Sequence, residues 1–221
     1  MQNILSLSKN WRDPVSSLNR VITLILAVIA VETTAFYLRD NLPQFPPVYL
    51  LGMARFADSL ILLIFGPWSL KQTFLSKALK QSIVVTLFFL LAGFLFLIIW
   101  KNTIGSSLLK LDTVLFRQDN PTMIAFYMTS CLLSPLAEEL VFRGLLYRKM
   151  REKWNLWICT GIVSLAFALV HLYFTNQALL PFLGGLIFCL GYEKTKSILT
   201  PLFLHTGGNL AIFLSPLMPF V

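Results

Sequence analysis

The chain has 221 residues, 57% of them hydrophobic and only 13% charged, with mean hydropathy +0.74 and formal net charge +8. A soluble domain carries roughly a quarter charged residues, so this composition excludes one and points to an integral, all-α, polytopic membrane protein. The lysines and arginines fall between apolar stretches rather than on one polar face, which fits juxtamembrane charge and excludes a nucleic-acid partner.

Met1 to Arg20 is polar and lacks a short apolar core followed by a small-residue cleavage site. The first span is therefore expected to be the insertion signal. Seven apolar spans follow. They run Val21 to Leu38 with Glu32 inside, Val48 to Trp68 with Arg55 and Asp58, Ser82 to Trp100 without a charge, and Pro121 to Tyr147. The last three are Trp154 to Phe174, Ala178 to Tyr192 and Ile198 to Leu214. The sixth holds Gly184, Gly185 and Gly191 and is expected to be tilted or broken. Lys101 to Asn120 is the longest connection and is expected to include a short interfacial helix. Twelve lysines and arginines lie in the segments on one side of these spans and four on the other. That bias predicts a cytoplasmic N-terminus and an external C-terminus. Cys131, Cys159 and Cys189 all lie in apolar spans without CxxC spacing, which predicts small buried side chains rather than a disulfide or a zinc-thiolate site.

Two regions emerge. Residues 1–120 read as a transmembrane scaffold with its connecting loop; residues 121–221 hold four spans and the chemistry. In the fourth span Glu139 and Arg143 are four residues apart and share a helix face, where they can pair. Glu138 points about 100° away and is left for another partner. Ionisable groups inside a span are functional candidates by default, and a carboxylate in a semi-dry pocket suits a general base. The chain has only two histidines. His171 follows Phe167 by one turn in the fifth span, and Asn209 follows His205 by one turn in the seventh. Glu138 and His171 are candidates to orient and deprotonate a water, His205 and Asn209 to donate hydrogen bonds to an oxyanion. Gly207 and Gly208 would let a helix or a substrate backbone come close. Glu32, Arg55 and Asp58 are read as structural.

Glu138-Glu139-x-x-x-Arg143, Phe167-x-x-x-His171 and His205-x-x-x-Asn209, in that order on successive spans, resemble the three motifs of the CAAX-protease and bacteriocin-processing family of intramembrane proteases. The type II CAAX prenyl endopeptidases are members. The resemblance covers about Met123 to Leu214. It implies hydrolysis of a peptide bond in a hydrophobic, membrane-associated or prenylated substrate. Glu138 and His171 would activate water, His205 and Asn209 would stabilise the oxyanion, and Glu139, Arg143 and Phe167 would brace the site. It also leaves a metal open: Glu138, His171 and His205 could hold zinc. The chain has no HExxH and no third histidine, so a metal-free site is the favoured expectation.

Two other readings compete. One is a non-catalytic immunity or adaptor protein that keeps the fold. The other is a proton relay or transporter, which would predict inverted repeats that the sequence lacks. One difficulty is axial. With a turn near Met150, Glu138 and His171 on antiparallel helices differ by nine residues, about 13 Å. Arg151 to Trp157 is therefore expected to lie at the interface, where Trp154 and Trp157 are at home, and to delay the fifth span.

Overall fold

A computed structural model describes residues 14–67, 77–104, 120–175 and 178–214. Among these residues there are seven helices and no strand. The three N-terminal ones are α1 (Pro14–Asn41), α2 (Pro47–Phe65) and α3 (Lys77–Ile104). The fourth, α4, spans 120–150 as one continuous helix. The last three are α5 (Leu156–Thr175), α6 (Leu179–Thr195) and α7 (Leu199–Leu214). Each expected span has its helix. Among the described residues three stretches are long and apolar enough to cross a membrane: Ser17–Asn41, Pro47–Phe65 and Pro121–Met150. Leu79–Ala92 and Leu156–Leu172 are shorter apolar helices. The predicted interfacial helix after Ile104 and residues 1–13 of the polar N-terminal stretch lie outside the described residues.

Helix α4 is the axis of the molecule. It touches α1, α2, α5, α6 and α7, while α1 pairs with α2, α5 with α6, and α3 with α7. On one side Leu140 and Leu145 join Val21, Leu24, Leu62 and Ile198; on the other, Phe142 and Tyr147 join Cys159, Val163, Phe167 and Cys189. Large apolar residues such as Phe56, Val84, Phe88, Leu165 and Trp157 face outward, as a lipid-facing surface requires. Lipid tails give no hydrophobic drive for helices to associate, so close packing and polar contacts must hold them. All three cysteines are buried and free. At the α1–α2 seam Arg55 Nη1 stands 3.5 Å from Glu32 Oε1, with Asp58 fully buried beside them.

Helix α4 has two wide turns with i→i+5 hydrogen bonds, Thr129–Leu133 and Leu140–Tyr147, on either side of Ser134–Glu139. Such turns occur mostly as single insertions and often at functional sites. Pro135 gives the first one a cause. Proline has no N–H and its ring crowds the preceding turn. The Ser134 N–H bonds to the Thr129 carbonyl, so the next donor in line for the Ser130 carbonyl would be residue 135, which has none.

The sixth span is not broken: α6 runs continuously from Leu179 to Thr195. Its Gly185 serves close packing instead, since a Cβ there would lie 3.0 Å from the Ser164 backbone. The fifth helix is delayed, though by a shorter segment than expected, since Trp157 already lies in it. Arg151 to Asn155 forms the turn, Trp154 and Trp157 are exposed, and α5 starts at Leu156. Glu138 then lies twelve residues before Met150 and His171 fifteen after Leu156, a mismatch of about 4.5 Å.

Candidate active site

The turn at 151–155 brings α5 against the Leu140–Tyr147 part of α4, and α7 packs against the Thr129–Leu133 and Ser134–Glu139 parts. Glu138, His171 and His205 thereby meet. Glu138 Oε2 is 3.6 Å from His171 Nε2 and 3.8 Å from His205 Nε2. One ligand atom from each residue lies within 4.8 Å of the others.

The other nitrogen of each ring fixes its proton. His171 Nδ1 is 2.9 Å from the Phe167 carbonyl, which can only accept, so Nδ1–H is the donor. His205 Nδ1 is 2.9 Å from Glu139 Oε1, which also accepts from Arg143 Nη1 at 2.9 Å. An ionised Glu139 again makes Nδ1–H the donor. In their neutral forms both histidines therefore turn an Nε2 lone pair towards Glu138. Glu138 Oε2 itself is buried and has no hydrogen-bond partner among the described residues. Three electron-rich atoms converge on one spot, and what binds there must bring positive charge or hydrogen-bond donors.

The surroundings hold these groups still. Glu139 and Arg143 are fully buried, and Arg143 Nη2 donates to the Gly185 carbonyl at 3.1 Å. The guanidinium lies over the rings of Phe167 at 4.8 Å and Phe188 at 5.2 Å. A buried ion pair is tolerable only with such supplementary contacts. Phe167 packs against His171 with ring centroids 4.3 Å apart and meets His205 edge-on at 5.5 Å. Asn209 Nδ2 donates to the Ser130 carbonyl at 2.8 Å, the group that Pro135 leaves without a backbone donor. One amide hydrogen of Asn209 is thus spent on tying α7 to α4, leaving one for a ligand.

The donor chemistry suits zinc: two imidazole nitrogens anchored through their other N–H, plus a carboxylate. The spacing is wider than a bound zinc requires. Ligands about 2.0–2.1 Å from a tetrahedral ion stand about 3.3 Å apart, against 3.6 and 3.8 Å here. A water at hydrogen-bonding distance fits without adjustment.

Of the residues singled out in the sequence, Glu138, His171 and His205 come together, Glu139, Arg143 and Phe167 surround them, and Asn209 sits one turn along α7. Three contributors were missed. Pro135 was legible as a proline inside an apolar span. Ser130, which acts through its backbone, and Phe188, one more aromatic in an apolar helix, carried no local signal.

Residues 120–211 match the family model described as type II CAAX prenyl endopeptidase Rce1-like. The chain carries an Rce1-like region. The chain is similar to parts of two curated proteins. One is an uncharacterized 24.3 kDa protein of Escherichia coli, 34% identical over 89 residues, or 38% of this chain and 41% of that protein. The other is a Bacillus subtilis (strain 168) protein provisionally named membrane peptidase YdiL, 26% identical over 158 residues, or 67% of this chain and 64% of that one. The matches thus cover less than two thirds of either relative's length. No solved structure matches. The Rce1-like region holds all seven residues singled out above.

Proposed function

We propose that this protein is an intramembrane endopeptidase of the CAAX prenyl protease type, with a water held at the Glu138–His171–His205 spot as nucleophile. The observation that carries the reading is the convergence of Glu138 Oε2 and the two Nε2 atoms, 3.6 and 3.8 Å away, on a buried carboxylate oxygen without a donor. A water there donates one hydrogen to Glu138 Oε2 and one to His171 Nε2, which aims its lone pair at a substrate carbonyl. As the C–O bond forms, Glu138 takes the proton. As the C–N bond breaks, the same proton passes to the leaving amine.

The oxyanion needs donors. Asn209 has its second amide hydrogen. His205 has already given Nδ1–H to Glu139, so it can donate from Nε2 only as the imidazolium. If a zinc ion were bound, Glu138, His171 and His205 would hold it and it would polarise the water.

The substrate is a hydrophobic, membrane-associated peptide or protein, with a prenylated C-terminus as one candidate. The Rce1-like match supports this class, and membrane lipid surrounds the helices. The lysine and arginine bias supports a cytoplasmic N-terminus, in a plasma or inner membrane if the source is bacterial.

The test is cleavage of fluorogenic peptides, lipidated and not, by the purified full chain in detergent, with Glu138→Ala and His171→Ala beside it and each run with and without a zinc chelator. The expected result is cleavage lost in both variants, by about 10²–10⁴-fold, and unaffected by chelation. Loss on chelation with recovery on adding zinc would move the mechanism to a metal and keep the site. A cellular effect that survives Glu138→Ala would mean a binding or immunity protein.

A further inference from the structure

Helix α6 contributes no residue to the three sequence motifs, yet it supplies one wall of the site. Its Phe188 lies against His205 with ring centroids 4.9 Å apart and planes 23° from parallel, a stacked pair. The same ring lies 5.2 Å from the Arg143 guanidinium and meets Phe167 edge-on at 6.1 Å. The placement is built in. Gly185 lets α6 press on the Ser164 backbone and offers its carbonyl to Arg143. Gly184 leaves room for the Phe188 ring, which a Cβ there would touch at 3.4 Å.

Glu139 holds His205 by one nitrogen only. The Cβ–Cγ bond and the Nδ1 hydrogen bond together set the ring's orientation, but a hydrogen bond tolerates bending, so the ring can still rock about Cβ–Cγ. Phe167 meets the ring edge-on and Phe188 lies along its face. Stacking therefore adds a restraint on that rocking. We infer that Phe188 is a positioning residue: it sets the ring plane of His205 so that Nε2 faces the Glu138 carboxylate. The inference rests on the endopeptidase reading for its effect on rate, but not for its effect on the ring.

Two measurements on the full chain test it. The first is NMR in detergent micelles of protein carrying 13C at histidine Cε1; with two histidines in the chain, it shows two ring signals. In Phe188→Leu the His205 signal should move and broaden as ring-current shielding and restraint are lost, with His171 unchanged. In Phe188→Tyr both should stay near their wild-type positions. The second is steady-state cleavage of the best peptide substrate. Phe188→Leu should lower kcat about tenfold at nearly constant KM, the scale of a lost aromatic pair, and Phe188→Tyr should restore it. A His205 signal that neither moves nor broadens in Phe188→Leu overturns the inference whether or not any peptide is cleaved. An unchanged kcat, or equal losses in both variants with an unchanged thermal midpoint, overturns it too. If wild type cleaves nothing, the endopeptidase reading fails while the NMR result still decides the role of Phe188.

Discussion

Glu138 and Glu139 are neighbours in sequence and opposites in environment. Glu139 accepts from Arg143 and from His205, and both members of its ion pair are fully buried. Each carboxylate has one oxygen with no hydrogen-bond partner among the described residues, but Glu138 has only the longer contacts to the histidine nitrogens, 3.6 and 3.8 Å away. Removing a partner from a buried pair leaves a bare charge and costs about 3–5 kcal/mol, whereas neutralising Glu138 breaks no such short pair. Arg143→Ala should therefore lower the thermal midpoint sharply or abolish the purified yield. Arg143→Lys should not restore it, since a lysine cannot reach Glu139 and the Gly185 carbonyl with a planar fork. Glu138→Gln should keep the wild-type midpoint. Equal midpoints for Arg143→Ala and Glu138→Gln in a thermal scan would refute this division of labour. Much of it was legible in the sequence, because i, i+4 spacing paired Glu139 with Arg143 and left Glu138 to face elsewhere. The hydrogen bond from His205 to Glu139 was not legible, since it depends on how α7 is rotated against α4.

At the scale of elements, glycines decide how closely helices approach, and they do not act alike. A Cβ on Gly185 would meet the Ser164 backbone at 3.0 Å, and one on Gly207 would meet the Leu90 side chain at 2.7 Å, while one on Gly208 meets nothing within 4 Å. Backbone cannot swing away as a leucine tip can. Gly185→Ala should then be the most damaging, by about 1–3 kcal/mol. Gly207→Ala should cost less, and Gly208→Ala should be neutral or stabilising by up to about 1 kcal/mol. Thermal midpoints of the three proteins in one detergent check the order. The sequence marked these positions as small residues among apolar ones. It could not say which faced a neighbour, and for the sixth span it left open a break that α6 does not have. The seven apolar runs were readable because charged, amide-bearing or proline-bearing segments interrupt them. The wide turns of α4 were not, since their hydrogen-bond pattern leaves the hydrophobic spacing almost unchanged.

For the molecule as a whole, polar fastening is concentrated at the end where α4, α5 and α6 come together outside the apolar stretches. Glu193, just past the sixth apolar run, accepts from Arg151 Nη2 at 3.0 Å, from Tyr147 Oη at 3.0 Å and pairs with Lys196 at 2.6 Å. The Arg151 hydrogen bond, with help from Lys196 and Tyr147, holds the Glu193 carboxyl down at about 2, below its ordinary 4.5. Since the folded value lies below the unfolded one, this contribution is complete above about pH 4.5 and is lost as pH falls towards 2. The site is partly open to water, so screening limits it to about 1 kcal/mol. Wild type and Glu193→Gln should differ in thermal midpoint at pH 6 and converge near pH 2. A constant gap across that range would mean the cluster adds nothing through charge.

The proline in α4 reaches further than a change of helical pitch. By withholding an N–H, Pro135 keeps the Ser130 carbonyl available to a side chain from another helix, and Asn209 takes it. Pro135→Ala would give α4 a donor of its own to compete with Asn209. Such a protein should be at least as heat-stable as wild type and, on the endopeptidase reading, cleave peptide more slowly, because a better helix would have reclaimed the anchor of α7. Selection for robustness and selection for activity would pull this one position in opposite directions.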